Sequence, residues 1–106
     1  MIREAGRVVF LEADEIDWIA AEGDYVRVHA GGRSHLVRET MQAMEARLGT
    51  THFARVHRST LVNVARIREL RPLTGREWLV ILDTGAELRL SRRYRDRLAQ
   101  QTGLEF

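Results

Sequence analysis

Phe53-Ala54-Arg55-Val56-His57-Arg58-Ser59-Thr60-Leu61-Val62-Asn63 is the most informative stretch of this sequence. Its first half alternates, so that residues 53, 55 and 57 fall on one face of a strand and residues 54 and 56 fall on the other. An apolar run resumes at residues 61–64, and residues 57–60 between the two runs all carry side chains that form hydrogen bonds. The pattern predicts a polar turn held between two buried strands.

The polar turn offers two chemical interpretations. The guanidinium fork of Arg58 can bind a phosphate or a guanine edge with two hydrogen bonds, and the hydroxyls of Ser59 and Thr60 can bind phosphate oxygens. Alternatively, Ser59, Thr60 and Asn63 satisfy nearby backbone groups and the turn has no ligand. The residues of the turn leave both interpretations open.

Length and composition indicate one ordinary globular domain. The 106 residues, of which 44% are hydrophobic, suit a single domain over residues 1–106 with one core. No apolar run reaches the length of about 18 residues that a membrane span requires, and the N-terminus lacks the apolar segment of a signal peptide. Since there is no cysteine, disulfides, thiolate catalysis and cysteine zinc sites are excluded. We therefore expect a cytoplasmic protein without a membrane partner.

Charge is distributed unevenly along the chain. Residues 1–50 contain six arginines and nine acids, for a balance of −3, whereas residues 51–106 contain eleven arginines and six acids, for a balance of +5. All 17 basic residues are arginine, which binds phosphate and guanine better than lysine does, although codon bias toward arginine also explains this composition. A local basic patch, and not the net charge of +2, would attract a polyanion.

Short alternating segments separated by turn residues predict a mainly β, mostly antiparallel domain. Gly31-Gly32 has the form of a two-residue hairpin turn, because glycine accepts positive φ at both positions. The predicted strands are 7–11, 16–21, 25–29, 33–38, 53–57, 61–64, 66–70, 77–82 and 87–90.

Two short helices are also predicted. Thr40 is a plausible N-cap for a helix over residues 41–48, and Gly49 is a natural stop. Ser91 is a plausible cap for a second helix from residue 92 to about 101, and residues 102–106 read as a loose tail.

No catalytic or metal motif is found. The four histidines have no zinc-site spacing, and the sequence contains no GxSxG, Walker or GxGxxG motif. His29 and His35 flank the predicted hairpin and could approach each other across strands, which leaves a small histidine hydrolase as a third hypothesis. We predict no enzyme, no metal and no cofactor.

Three features point to nucleic acid. They are the turn at residues 57–60, a segment at residues 91–97 with arginine at four of seven positions, and the turn at residues 22–25, where Tyr25 follows Gly23. The N-terminus of a predicted helix at Ser91 would add attraction for phosphate. If the three loops lie on one edge of the sheet, they can reach a single ligand.

The stretch from Phe53 to Asn63 resembles the signature of LytTR-type DNA-binding domains. Further blocks are similar to this family in the same order: residues 16–26, residues 38–48, and residues 67–94 with the turn at Asp83. Together the resemblance covers residues 7–98.

This resemblance implies an elongated arrangement of short antiparallel sheets, with about eight to ten strands and one or two short helices. It implies transcription regulation by loops that read successive major grooves at paired direct repeats in promoter DNA, with a second copy bound beside the first. Such domains usually form the output half of bacterial two-component response regulators in phosphorelay signal transduction. A receiver domain does not fit in 106 residues, so this is either an excised output domain or a stand-alone regulator, and residues 1–6 would be the remnant of a linker.

The resemblance also implies roles for individual residues. Base contact is expected from Arg58, from Arg93 or Arg92, and from Asp24 or Tyr25 in the loop before Val26. Asp24 departs from the uncharged polar residue common there, and an acid facing DNA is costly unless it accepts from a cytosine amino group. The remaining expected site residues are Ser59 and Arg38 for phosphate, and His57 and Asn63 as structural or mixed positions. The alternative function is a β-rich protein-interaction or ligand-sensing module without DNA specificity.

Overall fold

The strands of this domain pair in antiparallel fashion throughout the part of the chain that the structure, a computed structural model, describes: residues 2–4 and 6–106. The elements are β1 (Ile2–Glu4), β2 (Arg7–Val9), β3 (Trp18–Glu22), β4 (Tyr25–Ala30), β5 (Arg33–Val37), α1 (Met41–Leu48), β6 (Phe53–His57), β7 (Thr60–Asn63), β8 (Ile67–Pro72), β9 (Trp78–Leu82), β10 (Glu87–Leu90) and α2 (Arg92–Thr102). Short 3-10 turns cover Ala13–Glu15, Val64–Arg66 and Thr74–Arg76.

The described strands form three sheets. A five-stranded sheet has the order β5-β4-β3-β7-β6, a three-stranded sheet has the order β10-β9-β8, and β1 pairs with β2 alone. The molecule measures 43 × 24 × 22 Å along its principal axes. The predicted fold class, mainly β with short antiparallel sheets in an elongated arrangement, is therefore confirmed.

Two cores lie on opposite faces of the five-stranded sheet. Because side chains alternate along β6 and β7, Phe53 and Leu61 face one way while Val56 and Val62 face the other. The first core, beneath α1, consists of Ile2, Ile16, Ile19, Val26, Val28, Val37, Met41, Met44, Phe53 and Leu61. The second core, between β6–β7, the three-stranded sheet and α2, consists of Ala54, Val56, Val62, Val80, Leu82, Leu88, Leu90, Tyr94 and Leu98.

Helix α1 forms as its sequence predicts. The Thr40 side chain accepts a hydrogen bond from the backbone N–H of Ala43 (3.0 Å), and Gly49 ends the helix with a φ of 73°. Met41 and Met44 are buried in the first core. At the β4–β5 hairpin, Gly31 and Gly32 both have positive φ, 58° and 80°, which confirms the predicted two-residue turn.

Several predicted boundaries are wrong because local turns compete with strand pairing. The strand predicted at 16–21 begins at Trp18, since the 3-10 turn Ala13–Glu15 ends against Ile16. The strand predicted at 66–70 begins at Ile67, because the side chain of Asn63 accepts from the N–H of Ala65 and caps a 3-10 turn. The first predicted strand, 7–11, ends at Val9.

The C-terminal tail, predicted as loose over residues 102–106, forms contacts with the rest of the domain. Helix α2 extends to Thr102, and Gly103 ends it in the left-handed conformation with a φ of 74°. The ring of Phe106 packs edge-on against Trp78, with 5.1 Å between the ring centroids, and Arg95 donates a hydrogen bond to the carbonyl of Phe106. These contacts attach the tail to the second core.

The N-terminal segment also contributes to the fold. Within the expected linker, residues 2–4 form β1, which pairs with β2, and Ile2 is 5% exposed in the first core. Met1 and Ala5, also part of the expected linker, lie outside the described residues.

Candidate nucleic-acid interface

The β3–β4 and β6–β7 turns lie next to each other at one end of the five-stranded sheet. Strands β3 and β7 are neighbours, so the turn at Gly23–Asp24 and the turn at Arg58–Ser59 emerge side by side. The backbone N–H of Ala21, near the end of β3, donates to the carbonyl of Ser59 at 2.8 Å and so joins β3 to the β6–β7 turn.

The start of α2 lies on the other side of the β6–β7 turn. The N–H of Ser91 donates to the carbonyl of Val56 at 2.9 Å, and at the far end of the helix Gln101 donates to the carbonyl of Phe53. Helix α2 therefore runs back along β6 with its first residues, Arg92 and Arg93, beside the turn. Ser91 occupies the predicted cap position, but its side chain forms no cap hydrogen bond.

The end of β5 completes the row. Because Val37 pairs with Val26, Arg38 lies beside Tyr25, and its guanidinium carbon is 5.8 Å from the centre of the tyrosine ring. The structure thus brings the three predicted loops together at one end of the sheet. We name this surface the loop edge, and it consists of Gly23, Asp24, Tyr25, Arg38, Arg58, Ser59, Arg92 and Arg93.

The loop edge is basic. Arg38, Arg58, Arg92 and Arg93 are all exposed, and Asp24 is an exposed acid among them. Glu22, next to the edge, accepts two hydrogen bonds from Arg27 at 3.1 and 2.8 Å. These hydrogen bonds lower the pKa of Glu22 below its usual range, so its charge is matched by a neighbouring cation. The exposed arginines suit a polyanion.

His57 and Ser59 stabilise the β6–β7 turn from within. The Nδ1 atom of His57 accepts from the backbone N–H of Ser59 at 3.2 Å and lies 2.9 Å from the Ser59 hydroxyl. The turn thereby closes on itself while the side chain of Arg58, at its tip, is exposed.

Asn63 lies away from the loop edge. It is at the opposite end of β7 from the turn, paired with Phe53, and only 4% exposed. Its side chain donates to the carbonyl of Ile16 at 2.9 Å and accepts from the N–H of Ala65 at 3.1 Å. These contacts hold the segment before β3 and the turn after β7, and the structure does not bring Asn63 to the other expected site residues.

The two histidines of the hairpin do not face each other. His35 pairs with Val28 across the hairpin and is buried. His29 follows Val28 on β4, so its side chain points to the opposite face of the sheet, where it stacks on Trp18 with 4.0 Å between ring centroids. Burial lowers the pKa of His29, and the nearby charge of Arg27 lowers it further. The described residues contain no group of three potential metal ligands.

Both helices are short. Helices α1 and α2 have 8 and 11 residues, and no helix in the described ranges is long and apolar enough to cross a bilayer.

Arg55, outside the predicted site, binds the backbone of the β6–β7 turn, and Glu45 in turn binds Arg55. Arg55 donates from Nε to the carbonyl of His57 at 3.0 Å, and its Nη1 forms an ion pair with Glu45 of α1 at 3.1 Å. A signal for each exists in the sequence. Arg55 is a charged residue on the same face of β6 as the core residue Phe53, and Glu45 follows Met41 by four residues on the flank of the apolar stripe of α1.

The arrangement has the chemical capacities that duplex DNA requires. Arginine side chains at separate turns can bind phosphates and base edges, and the tyrosine adds an aromatic surface. The rigid sheet sets the spacing between them.

Comparisons with known proteins agree with this geometry. The family model of the LytTr DNA-binding domain matches residues 6–103. The chain is 30% identical over 91 residues to the sensory transduction protein LytT of Bacillus subtilis, with 86% of this chain and 38% of the relative covered. It is 24% identical over 98 residues to the transcriptional regulatory protein LytR of Staphylococcus aureus, with 92% of this chain and 40% of the relative covered.

A solved structure shares the fold. It is the LytTr DNA-binding domain of a Bacillus cereus protein, which superposes with a TM-score of 0.87 at 22% identity over 97% of this chain and 94% of that one. The chain spans about two fifths of the length of the two relatives named above. Since the family model covers nearly the whole sequence, the chain belongs to the LytTr DNA-binding domain family.

Proposed function

We propose that the loop edge binds duplex DNA in a sequence-specific manner and thereby regulates transcription. DNA binding for transcription regulation follows from membership of the family. The finer proposal is that base preference comes from two or three side chains of the loop edge, while contacts to phosphate provide most of the affinity. The protein acts in this proposal as a regulator without enzymatic activity.

The row of loops across the end of the sheet is the observation that carries the proposal. Its order is Arg38 and Tyr25, then Asp24, then Arg58, then Arg92 and Arg93. Four spacings between five strands cover about 19 Å, and the helix packed beside β6 adds about 10 Å. The resulting span of about 30 Å is close to the ~34 Å of one turn of B-DNA, so the ends of the row can reach successive major grooves.

The roles proposed for the individual residues are those that the family resemblance implies, and their exposure supports them. Arg58, with Arg93 or Arg92, contacts bases, and Asp24 or Tyr25 supplies a third contact. Arg38 and Ser59 contact phosphate, and His57 holds the turn. Asn63, buried at the far end of the hairpin, acts through the fold alone.

The wider setting is also part of the proposal. The relatives named above are more than twice as long as this chain, which leaves room for a receiver domain in a two-component response regulator. Two copies would bind paired direct repeats in a promoter, in the bacterial cytoplasm.

Selection from a duplex library tests this function. The domain is incubated with randomised duplexes at two salt concentrations, and the retained DNA is sequenced for wild type, Arg58→Ala and Arg68→Ala. We expect wild type to enrich a short motif in direct repeat, with affinity that falls steeply as salt rises. Arg58→Ala should weaken binding by about 1–3 kcal/mol and relax preference at one base position.

Arg68→Ala is the matched control, because Arg68 is an exposed arginine on β8 at the opposite end of the molecule. It should keep the motif. Equal losses for Arg58→Ala on enriched and random duplexes would contradict the role of Arg58. No retention of DNA at low salt would contradict the proposal and favour a protein-interaction module, for which Phe10, 79% exposed on the β1–β2 side, would be the first contact to test.

A further inference from the structure

Arg55 lies beneath the β6–β7 turn and binds its backbone. Its Nε donates to the carbonyl of His57 at 3.0 Å, and its Nη2 donates to the carbonyl of Arg58. Its side chain is 13% exposed, so this guanidinium is directed at the inner side of the turn and not at solvent. One planar fork thus holds two consecutive carbonyls at the residue that is proposed to read a base.

Glu45 holds Arg55 in this position and also reaches α2. Its Oε1 lies 3.1 Å from Nη1 of Arg55, and its Oε2 lies 3.1 Å from Nη2 of Arg97. A single carboxylate from α1 therefore connects β6 with α2. The centre of the Tyr94 ring is 5.9 Å from the guanidinium carbon of Arg55 and 5.3 Å from that of Arg97.

The same network reaches the first residues of α2. The guanidinium carbon of Arg93 lies 5.9 Å from the Tyr94 ring, on which Arg55 and Arg97 also converge. Arg58 and Arg93 belong to different elements, and their relative position depends on contacts between those elements. We name the set of Glu45, Arg55, Tyr94 and Arg97 the latch.

We propose that Arg55 and Glu45 are positioning residues that preset the distance between the Arg58 turn and the start of α2, and thereby determine sequence preference without contacting DNA. This inference rests on the proposed base contact of Arg58. A turn that is ordered before binding loses less conformational entropy on the DNA, and a side chain on a fixed backbone discriminates between base edges better than one on a mobile loop.

For Glu45→Gln, the proposed role of the latch and simple electrostatics predict opposite changes in affinity for the preferred duplex. Glu45→Gln removes a negative charge near a basic surface, so electrostatics alone would raise affinity for every duplex. The latch requires instead that the variant lose affinity for the preferred duplex, because the amide binds two guanidinium groups less strongly than the carboxylate does.

The experiment uses the duplex that wild type enriches from the library and a duplex of random sequence. We expect Glu45→Gln and Arg55→Lys each to weaken binding to the enriched duplex by about fivefold or more, which is within the range of coupling between contacting residues. Affinity for the random duplex should be unchanged or higher. In an Arg58→Ala background, neither substitution should reduce preference further at the base that Arg58 reads.

Arg66 and Asp17 offer matched controls at the opposite end of the sheet. Arg66 forms the same kind of fork, with Asp17 at 2.9 Å and the carbonyl of Asp14 at 2.7 Å. Arg66→Lys and Asp17→Asn therefore reproduce the changes in charge and in buried hydrogen bonding. They should leave the ratio of affinities for the two duplexes within about twofold of wild type, even where thermal stability falls.

A second readout needs no DNA. Hydrogen exchange of the backbone amides at residues 57–59 should accelerate in Glu45→Gln and Arg55→Lys, while amides of β9 in the three-stranded sheet keep wild-type protection. Retention of the wild-type affinity ratio by both latch variants, or unchanged exchange at the turn, would overturn the latch alone. A wild-type domain that enriches no motif would overturn the proposed function and this inference together.

Discussion

Arg58 and Asn63 belong to the same sequence signature, yet the fold places them at opposite ends of one hairpin. The turn after His57 exposes the side chain of Arg58, whereas Asn63 is buried where β7 ends. Both are polar residues in an apolar context, and their spacing in the sequence does not distinguish a ligand contact from a structural hydrogen bond. The difference arises because the hairpin sends one residue to the loop edge and the other to the junction with β3.

Asn63→Ala should destabilise the fold without changing sequence preference. The substitution leaves the buried carbonyl of Ile16 and the N–H of Ala65 without the side chain that binds them, which costs about 1–3 kcal/mol in free energy of unfolding. Urea denaturation measures the loss, and Thr84→Ala in an exposed turn is the control, with an expected change under about 0.5 kcal/mol. A stable Asn63→Ala domain that had lost its motif would instead place Asn63 at the DNA.

His29 should make stability depend on pH. Its pKa in the folded state is lowered from 6.5, chiefly by burial and then by Arg27, while Asp17 and Glu22 act in the opposite direction. A group with a lowered pKa binds more protons when unfolded, so the free energy of unfolding should fall as pH drops below about 6.5.

Chemical denaturation at a series of pH values tests the role of His29. His29→Phe keeps an aromatic ring beside Trp18 and should reduce the decline between pH 7 and 5, whereas His52→Gln, an exposed site, should not. An identical decline in wild type and His29→Phe would assign the pH dependence to other groups.

Among the elements, helix α2 both covers the second core and positions Arg92 and Arg93, and its sequence predicts only the first of these roles. Tyr94 and Leu98, four residues apart, pack into the second core, as helical periodicity predicts. Its position along β6 sets where Arg92 and Arg93 lie, and the hydrogen bond from Ser91 to Val56 is one of the contacts that hold it there. The helix is therefore both a cover for the core and the support of one loop-edge contact.

Phe106→Ala should reduce stability, because the C-terminal tail packs on Trp78. Loss of the buried aromatic area and of the edge-to-face contact should lower the free energy of unfolding by about 1–3 kcal/mol. Leu104→Ala, at a residue 55% exposed in the same tail, should change it by less than about 0.5 kcal/mol. Thermal or urea unfolding of the two variants measures these changes. If the two variants were equally stable, the ring of Phe106 would contribute nothing to the core.

At the scale of the whole molecule, the five-stranded sheet is shared by both cores. Leu61 and Val62 are adjacent in β7, but the first belongs to the core under α1 and the second to the core against the three-stranded sheet. Charges of both signs lie at the end of β3 opposite the loop edge, where Arg66 binds Asp17 and the carbonyl of Asp14.

A shared sheet predicts one cooperative unfolding transition. Leu61→Ala creates a cavity in the first core and should lower stability by about 2–5 kcal/mol. Trp18 and Trp78 both pack against the second core, so tryptophan fluorescence reports on the side of the sheet that the substitution does not touch. We expect fluorescence and far-ultraviolet circular dichroism to shift together. A fluorescence midpoint that stayed at the wild-type value would indicate two independently unfolding halves.

The local features of this protein are encoded within single segments of its sequence. Alternation in residues 53–57 predicted the strand, paired glycines predicted the hairpin turn, and Thr40 and Gly49 predicted the limits of α1. These features depend on the periodicity of side chains and on backbone conformations that few residue types adopt. Both can be recognised within a single segment of the sequence. The signature from Phe53 to Asn63 likewise identified the family.

Which of the predicted residues share a surface depends on contacts made in the folded domain. The loop edge exists because β3 pairs with β7 and because α2 returns along β6, and both contacts join segments distant in sequence. Other contacts between distant segments bury Asn63, attach the tail to Trp78 and bring Glu45 to Arg55. Periodicity describes which face of an element is apolar, but it contains no information on which elements are neighbours, and that is why these residues could not be assigned before the fold was known.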